Sequence, residues 1–265
     1  MSKTLCFAAM VGVVGVMLLG AGSAGAVVGG TDDTTGRFPQ VGVLQAQFEP
    51  GSRGKVLKNL LGIKRKREMD EVEAREQLRA LRELITIYDE DHVFTASDVQ
   101  KIHRIWLSPV YSWAGDYRQV NISKDDFPFA AAREIPKLMA ELERGPLRQH
   151  TPCRVATDDD VIKGLAIVHT ELMLIHPFRD GNGRAGRLLA ILMGLQARLP
   201  PLAFTGLTGK KRQEYFKAVR AGLGRDYEPM ERVFSDVVRR TRRVALRARL
   251  RSEEHTSELQ SLAYL

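Results

Sequence analysis

The sequence predicts an all-α domain carrying one short β-hairpin, on three observations. Residues 158–175 (DDDVIKGLAIVHTELMLI) open with acids, repeat apolar residues at helical spacing and stop at Pro177, which reads as a buried helix with a negatively charged first turn. A second apolar run of the same period starts at Arg184, immediately after Gly181-Asn182-Gly183. Only one stretch, 120–129, combines a β-type start, a polar tip and a proline.

Taken in order, residues 1–26 have the form of a secretory signal: Lys3, an apolar stretch from Leu5 to about Leu19, then Ala24-Gly25-Ala26. The apolar run is too short for a stable membrane anchor. Residues 27–55 are expected to be a disordered linker. Val27-Val28-Gly29-Gly30 with Arg37-Phe38-Pro39 resembles the mature start of trypsin-like serine proteases, but the likeness covers about twenty residues. The triad motifs of that family are missing, so protease activity is excluded.

From Val56 the composition turns charged and leucine-rich, and 68–88 interleaves apolar and charged residues at helical spacing. Thr95-Ala96-Ser97-Asp98 reads as a capping-box start, with Val99, Ile102, His103 and Trp106 on one face. The hairpin at 120–129 contains Ile122, Ser123, Lys124 and Phe127. Further helices are expected at 133–144, 209–222 and 228–250, so the helical domain spans 56–250. Residues 251–261 are similar to the in-frame translation of a widely used sequencing-adapter oligonucleotide, and 251–265 are expected to be an artefact and disordered. A misassembled C-terminus extends the same suspicion to 1–55, with domain fusion as the alternative.

The composition, 44% hydrophobic and 27% charged, is that of an ordinary globular chain able to bury a core. The formal charge is +8, but the seven arginines between Arg239 and Arg251 carry all but one of that excess. A terminal basic helix without interleaved aromatics reads as a solvated face, and no nucleic-acid partner is expected. Two cysteines, Cys6 and Cys153, give no disulfide framework and no cysteine metal site in a mature chain.

The chemistry concentrates in 176–187, HPFRDGNGRAGR. Gly181 and Gly183 can take backbone angles closed to other residues and admit a ligand close to the main chain. The open N–H groups and positive dipole end of the following helix then form an anion site. Arg184 and Arg187, three apart, share a face that both can turn to that anion. Asp180 is a hard oxygen ligand suited to Mg²⁺ shared with substrate phosphates. His176 is the nearby group able to accept a proton near neutral pH. A lone histidine on an apolar helix is usually structural, which is the reading given to His169. For His176 the whole surrounding set points instead to nucleotide chemistry.

This stretch resembles the Fic signature, His-Pro-Phe-x-(Asp/Glu)-Gly-Asn-(Gly/Lys)-Arg-x-x-Arg, at every fixed position. Trp113-Ala114-Gly115-Asp116-Tyr117-Arg118 is similar to the segment that precedes the site in Fic domains. The resemblance implies a Fic-type helical bundle that transfers AMP from ATP to a hydroxyl of a target protein. It implies that His176 deprotonates the hydroxyl, Asp180 holds Mg²⁺, Asn182 with the amides of Gly181 and Gly183 cradles the phosphates, and Arg184 and Arg187 bind the β and γ phosphates. Phe178 would anchor the core, and the hairpin would be the flap that aligns an extended target segment by strand addition. Tyr215, Asp226 and Tyr227 fall where related domains close over the base.

The related Doc-type kinases carry Ala-Asn-Lys where this chain has Gly181-Asn182-Gly183, so phosphoryl transfer is the alternative, together with a non-catalytic toxin–antitoxin module. The inhibitory motif (Ser/Thr)-x-x-x-Glu-(Gly/Asn) finds its nearest match at Thr86 to Asp91, read here as a helix end; inhibition by an antitoxin or other partner is the expectation that remains. The leader taken literally exports the protein. A chimeric N-terminus would instead leave the domain in the cytoplasm, where ATP is plentiful.

Overall fold

The computed structural model describes residues 48–263 other than 125 and 156. The signal-like segment 1–26 and the protease-like stretch through residue 47 lie outside the described residues. Among the described residues, seven helices of eight residues or more follow one another: α1 (Lys66–Ile87), α2 (Ala96–Leu107), α3 (Ile135–Leu142), α4 (Asp158–Ile175), α5 (Asn182–Gln196), α6 (Gly209–Ala221) and α7 (Glu228–Ala263). Between α2 and α3 lies the hairpin β1 (Ser123–Lys124) and β2 (Phe127–Pro128), antiparallel with Ser123 opposite Pro128 and Lys124 opposite Phe127. No helix among the described residues is long and apolar enough to cross a membrane.

Helices α4 and α5 are the centre. Thr157 caps α4 by accepting from the Asp160 N–H, and Asp158, Asp159 and Asp160 set negative charge on its first turn. Both ends of α4 fall where the sequence places them. Helix α5 is buried almost all round, from Leu188 to Gln196 without interruption, as expected of a helix enclosed by others. Helices α1 and α2 pack against each other and against α5, while α3, α6 and α7 pack against α4. On α2 the expected capping box is formed between Thr95 and Asp98, and Val99, Ile102, His103 and Trp106 are buried together.

Four boundaries differ from the sequence expectation. Residues 48–55, expected as linker, fold back: Phe48 bridges Leu57, the Glu49 N–H donates to the Val56 carbonyl at 2.9 Å, and Val56 is buried. Helix α5 starts at Asn182 rather than Arg184, because Gly181 at φ +80° turns the chain so that its carbonyl accepts from Ala185. The helix expected over 133–144 is broken. A 3₁₀ turn (Ala132–Glu134) precedes α3, and a π turn (Glu143–Leu147) containing Pro146 follows it, since proline offers no N–H to continue the α ladder. Helix α7 continues past Leu250 to Ala263, where an unstructured tail was expected; after Pro229 no glycine or proline interrupts it.

At Gly222, which ends α6, the backbone lies against α4: a Cβ there would sit 2.2 Å from the Thr170 Cγ2 methyl. Gly222→Ala is therefore expected to destabilise the fold by about 1–3 kcal/mol. Adding Thr170→Ser, which deletes that methyl, should restore most of the loss, as read from urea midpoints of the two variants.

Candidate active site

The turn from α4 to α5 is held from several sides. His176 closes α4 in the left-handed region (φ 51°, ψ 59°), its N–H donating to the Leu172 carbonyl at 3.0 Å. The next aromatic, Phe178, is fully buried and stacks on His103 with ring centroids 3.9 Å apart. Asn182 then spans the loop: its Oδ1 accepts from the Phe178 N–H and its Nδ2 donates to the Phe178 carbonyl, both at 2.8 Å. A Cβ on Gly181 would meet Trp106 at 2.9 Å and Leu107 at 3.1 Å, so glycine is required by packing as well as by its positive φ.

His103 ties the same turn to α2. Gly115 N–H donates to its Nδ1 at 2.8 Å, so Nε2 carries the proton and donates to the Asp180 carbonyl at 3.0 Å. Burial pushes this imidazole down to about 3.

One open pocket of ≈ 830 Å³, counted to its mouth, gathers most of the sequence-derived residues. Lys124, Phe127, His176, Asp180, Gly181, Asn182, Gly183, Arg184 and Arg187 all line it. Ile122 and Ser123, both half-buried, do not. Of the three residues placed by resemblance at the base, Tyr215 lines the pocket, whereas Tyr227 donates to Glu171. Phe129, Phe216 and Arg220 line the pocket as well, and nothing in their local sequence marks them. The hairpin rests on α6 through charge on ring faces: Lys124 Nζ lies 3.3 Å from the Phe216 centroid, and the Arg220 guanidinium lies 5.3 Å from that of Phe127.

The His176 ring stacks on Phe129, centroids 3.8 Å apart and planes 17° from parallel. Its Nδ1 faces the Met173 carbonyl at 3.2 Å; a carbonyl only accepts, so Nδ1 holds the proton and Nε2 is the lone-pair nitrogen. Burial drives the imidazole down to about 3. The bond to Met173 opposes the shift, and the positive charges of Arg118 and Lys124 add to it. The ring is thus neutral throughout the physiological range.

The two motif arginines have different surroundings. Arg184 is engaged: its guanidinium pairs with buried Glu73 of α1 at 2.5 Å and lies 4.6 Å over the Trp106 ring. Glu73 also accepts from the Tyr111 hydroxyl at 2.7 Å, and its main-chain carbonyl accepts from the Trp106 indole at 2.9 Å. Arg187 has no carboxylate within ion-pair distance among the described residues, and burial pulls its guanidinium down to about 10. A half-buried cation so placed favours an anion.

Asp180 accepts from the Gly181 N–H through Oδ1 at 2.6 Å, while Oδ2 lies 3.9 Å from Arg184. Burial raises its carboxyl, Arg184 pulling it back and Glu73 pushing it further up. With the Arg184 N–H turned to the Gly181 carbonyl, the N–H groups of Asn182 and Gly183 are the helix's open donors. The Asn182 side chain spends both of its polar ends on the loop, so its contribution to an anion is its main-chain N–H. His169, read as structural, pairs through Nε2 with the Tyr215 hydroxyl at 2.8 Å behind the pocket wall, and burial lowers it to about 4. Glu90, of the stretch nearest to an inhibitory motif, pairs with Arg154 at 3.2 Å instead of a motif arginine.

Residues 93–193 match the family described as Fic/DOC. The probable protein adenylyltransferase y4lH of Sinorhizobium fredii is 32% identical over 139 residues, which cover 51% of this chain and 67% of that protein. The chain belongs to the Fic/DOC family. Another Fic relative, protein adenylyltransferase fic-1 of Caenorhabditis briggsae, is 31% identical over 147 residues, 54% of this chain; the match spans 27% of that longer protein. Among solved structures, the N-terminal Fic domain of a VirB-translocated Bep effector from Bartonella quintana, with ADP bound, is 26% identical. It aligns at a TM-score of 0.55 over 68% of this chain and 89% of that one.

Two outcomes follow from this Fic site. In the nucleotide-free protein, the ring protons of His103, His169 and His176 should not titrate between pH 8 and 5.5 by NMR, since each imidazole is held well below its usual 6.5. Glu73→Ala, which strips a buried guanidinium of its counter-charge, should cost about 3–5 kcal/mol in chemical denaturation, and Glu73→Gln clearly less.

Proposed function

We propose that this Fic domain is a protein adenylyltransferase that moves AMP from ATP to a hydroxyl of a target protein. The observation that carries the proposal is a lone-pair imidazole nitrogen, fixed by the Met173 carbonyl, on a ring lining the same pocket as Arg187 and the start of α5. The adenylyltransferase names of the relatives and the ADP held by the Bartonella quintana domain support it.

In this reading His176 Nε2 takes the proton of the target hydroxyl as its oxygen attacks the α-phosphorus. The new oxygen–phosphorus bond forms, the bond to the α,β-bridging oxygen breaks, and pyrophosphate departs. Arg187 and the N–H groups of Asn182 and Gly183 take up the charge of the leaving phosphates. Arg184, balanced by Glu73, contributes the edge of its guanidinium that faces the pocket. A bound triphosphate adds negative charge near His176 and so draws its basicity back toward the ordinary range.

Asp180 fits a role in holding Mg²⁺: its Oδ2 lies 3.9 Å from Arg184, and this metal needs one or two carboxylates beside the substrate's phosphates. Among the described residues no cluster of three potential ligands exists that would hold a metal alone. When bound, the ion would neutralise phosphate charge.

The hairpin would receive an extended segment of the target along its edge, main-chain bonds setting the hydroxyl above His176. An antitoxin or other inhibitor would act on Arg187, which has no carboxylate partner among the described residues.

With ATP labelled on the α-phosphate, His176→Ala should lose transfer to protein by about 10²–10⁴-fold while retaining affinity for a non-hydrolysable ATP analogue. Arg187→Ala should weaken that affinity. A His176→Ala chain that labels protein as fast as the wild type removes the proposed base. A phosphoryl adduct in place of AMP in the intact mass of a modified protein assigns the kinase variant instead.

A further inference from the structure

Arg118, just upstream of the hairpin, is buried with 3% of its surface exposed. Its side chain is spent on main-chain carbonyls. Nε donates to the His176 carbonyl at 2.8 Å, and one terminal nitrogen donates to Val120 at 2.7 Å. The other terminal nitrogen donates to Ala130 at 2.5 Å and Ile175 at 3.3 Å. Its own N–H donates to the Pro177 carbonyl at 2.9 Å.

These acceptors fall into two groups. Ile175 and His176 are among the last carbonyls of α4, which have no intrahelical donor and form the negative end of its dipole. Val120 and Ala130 flank the hairpin, one before β1 and one after β2. The planar fork of a guanidinium can reach all four at once; an ammonium, a point charge with three donors, cannot match that spread. The hairpin also supplies Phe129, on which the His176 ring stacks.

We propose that Arg118 is a positioning residue that locks the histidine's backbone and both legs of the hairpin into one rigid body, so that the edge receiving the target and the base serving it keep a fixed separation. This deepens the adenylyltransferase reading and rests on it for the catalytic consequence. Arg118 does not line the pocket. Its effect falls on the chemical step and not on nucleotide affinity, because the pocket's anion-binding groups on α5 are held independently by Asn182 and Glu73.

The test is Arg118→Lys, read in three ways. The His176 ring proton, shifted upfield in the wild type by the stacked Phe129, should move back toward the value of an unstacked histidine. Label transfer from α-labelled ATP should fall at least about tenfold, a loss typical of misplaced catalytic groups. Affinity for the non-hydrolysable ATP analogue should stay within about twofold, the mark of a lost chemical step and not of lost uniform binding.

An unchanged ring shift or an unchanged transfer rate overturns the proposal. So does a parallel loss of nucleotide affinity, which would make Arg118 a general support of the fold. If the wild type transfers no AMP, the adenylyltransferase reading fails and the ring shift alone decides the clasp.

If Arg118→Lys does not fold, hydrogen exchange in the wild type decides. The Arg118 Nε–H and the hairpin's Phe129 N–H, which donates to Ile122, should show matching opening free energies once each rate is divided by that group's intrinsic exchange rate. A protection of the Nε–H tenfold weaker than that of the amide would dismiss the rigid-body link.

Discussion

The geometry of the pocket depends on one side chain that never needs to meet the ligand. Asn182 accepts from and donates to the backbone of Phe178, and so closes a five-residue loop whose inner surface is the pocket floor. With that loop closed, Phe178 is driven into the core against His103, the Asp180 carbonyl is pinned by His103 Nε2, and the first amides of α5 are turned outward. A buried amide with both ends satisfied in this way is stiff, because breaking either bond strands a polar group without water. The anion site is then preorganised in the sense that matters for catalysis: its donors need no rearrangement when charge develops.

The charges around that floor follow the same logic. Glu73 reaches from α1 to offset Arg184, and the Trp106 ring beneath gives the guanidinium a flat seat. Arg184 is thereby nearly neutral as a pair and fixed in place. Arg187, one turn on, has no carboxylate partner among the described residues. Two arginines three residues apart thus divide the work, one acting as a positioned donor and the other as the source of net positive potential. The division follows from α1, which packs on α5 and brings Glu73 to Arg184.

Much of this was legible in the sequence because the chemistry is local. The run 176–187 carries its own helix stop, its glycine turn and its helix start, and these fall within two residues of expectation. Helices α1, α2 and α4 announced themselves by period, and α2 also by its capping box. What the sequence could not show are the partners supplied from a distance. Glu73 lies 111 residues before the arginine it balances, and nothing in the charged repeat of α1 distinguishes it from its solvent-facing neighbours. Arg118 sits inside a segment similar to one known from Fic domains, yet its role depends on four carbonyls brought together by tertiary packing. Phe129 reads as a strand residue and becomes the stacking surface of the histidine. The turns on either side of α3 are changes of helix type within one continuous winding, which apolar period alone does not distinguish, and an adapter-like sequence says nothing of its own helix propensity, so α7 runs on past Leu250.

The hairpin has two residues in each strand, too few to hold together unaided. Part of its order comes from Lys124 lying over Phe216 and from Arg220 lying over Phe127, contacts that bridge it to α6 across the mouth of the pocket. A visiting polypeptide that settles along this seam must therefore compete with the latches that keep its own landing strip in shape. Recognition and local unfolding draw on the same few side chains there. A guest able to replace those ring-and-cation contacts with its own would be retained, and one that merely pried them apart would loosen the platform beneath it.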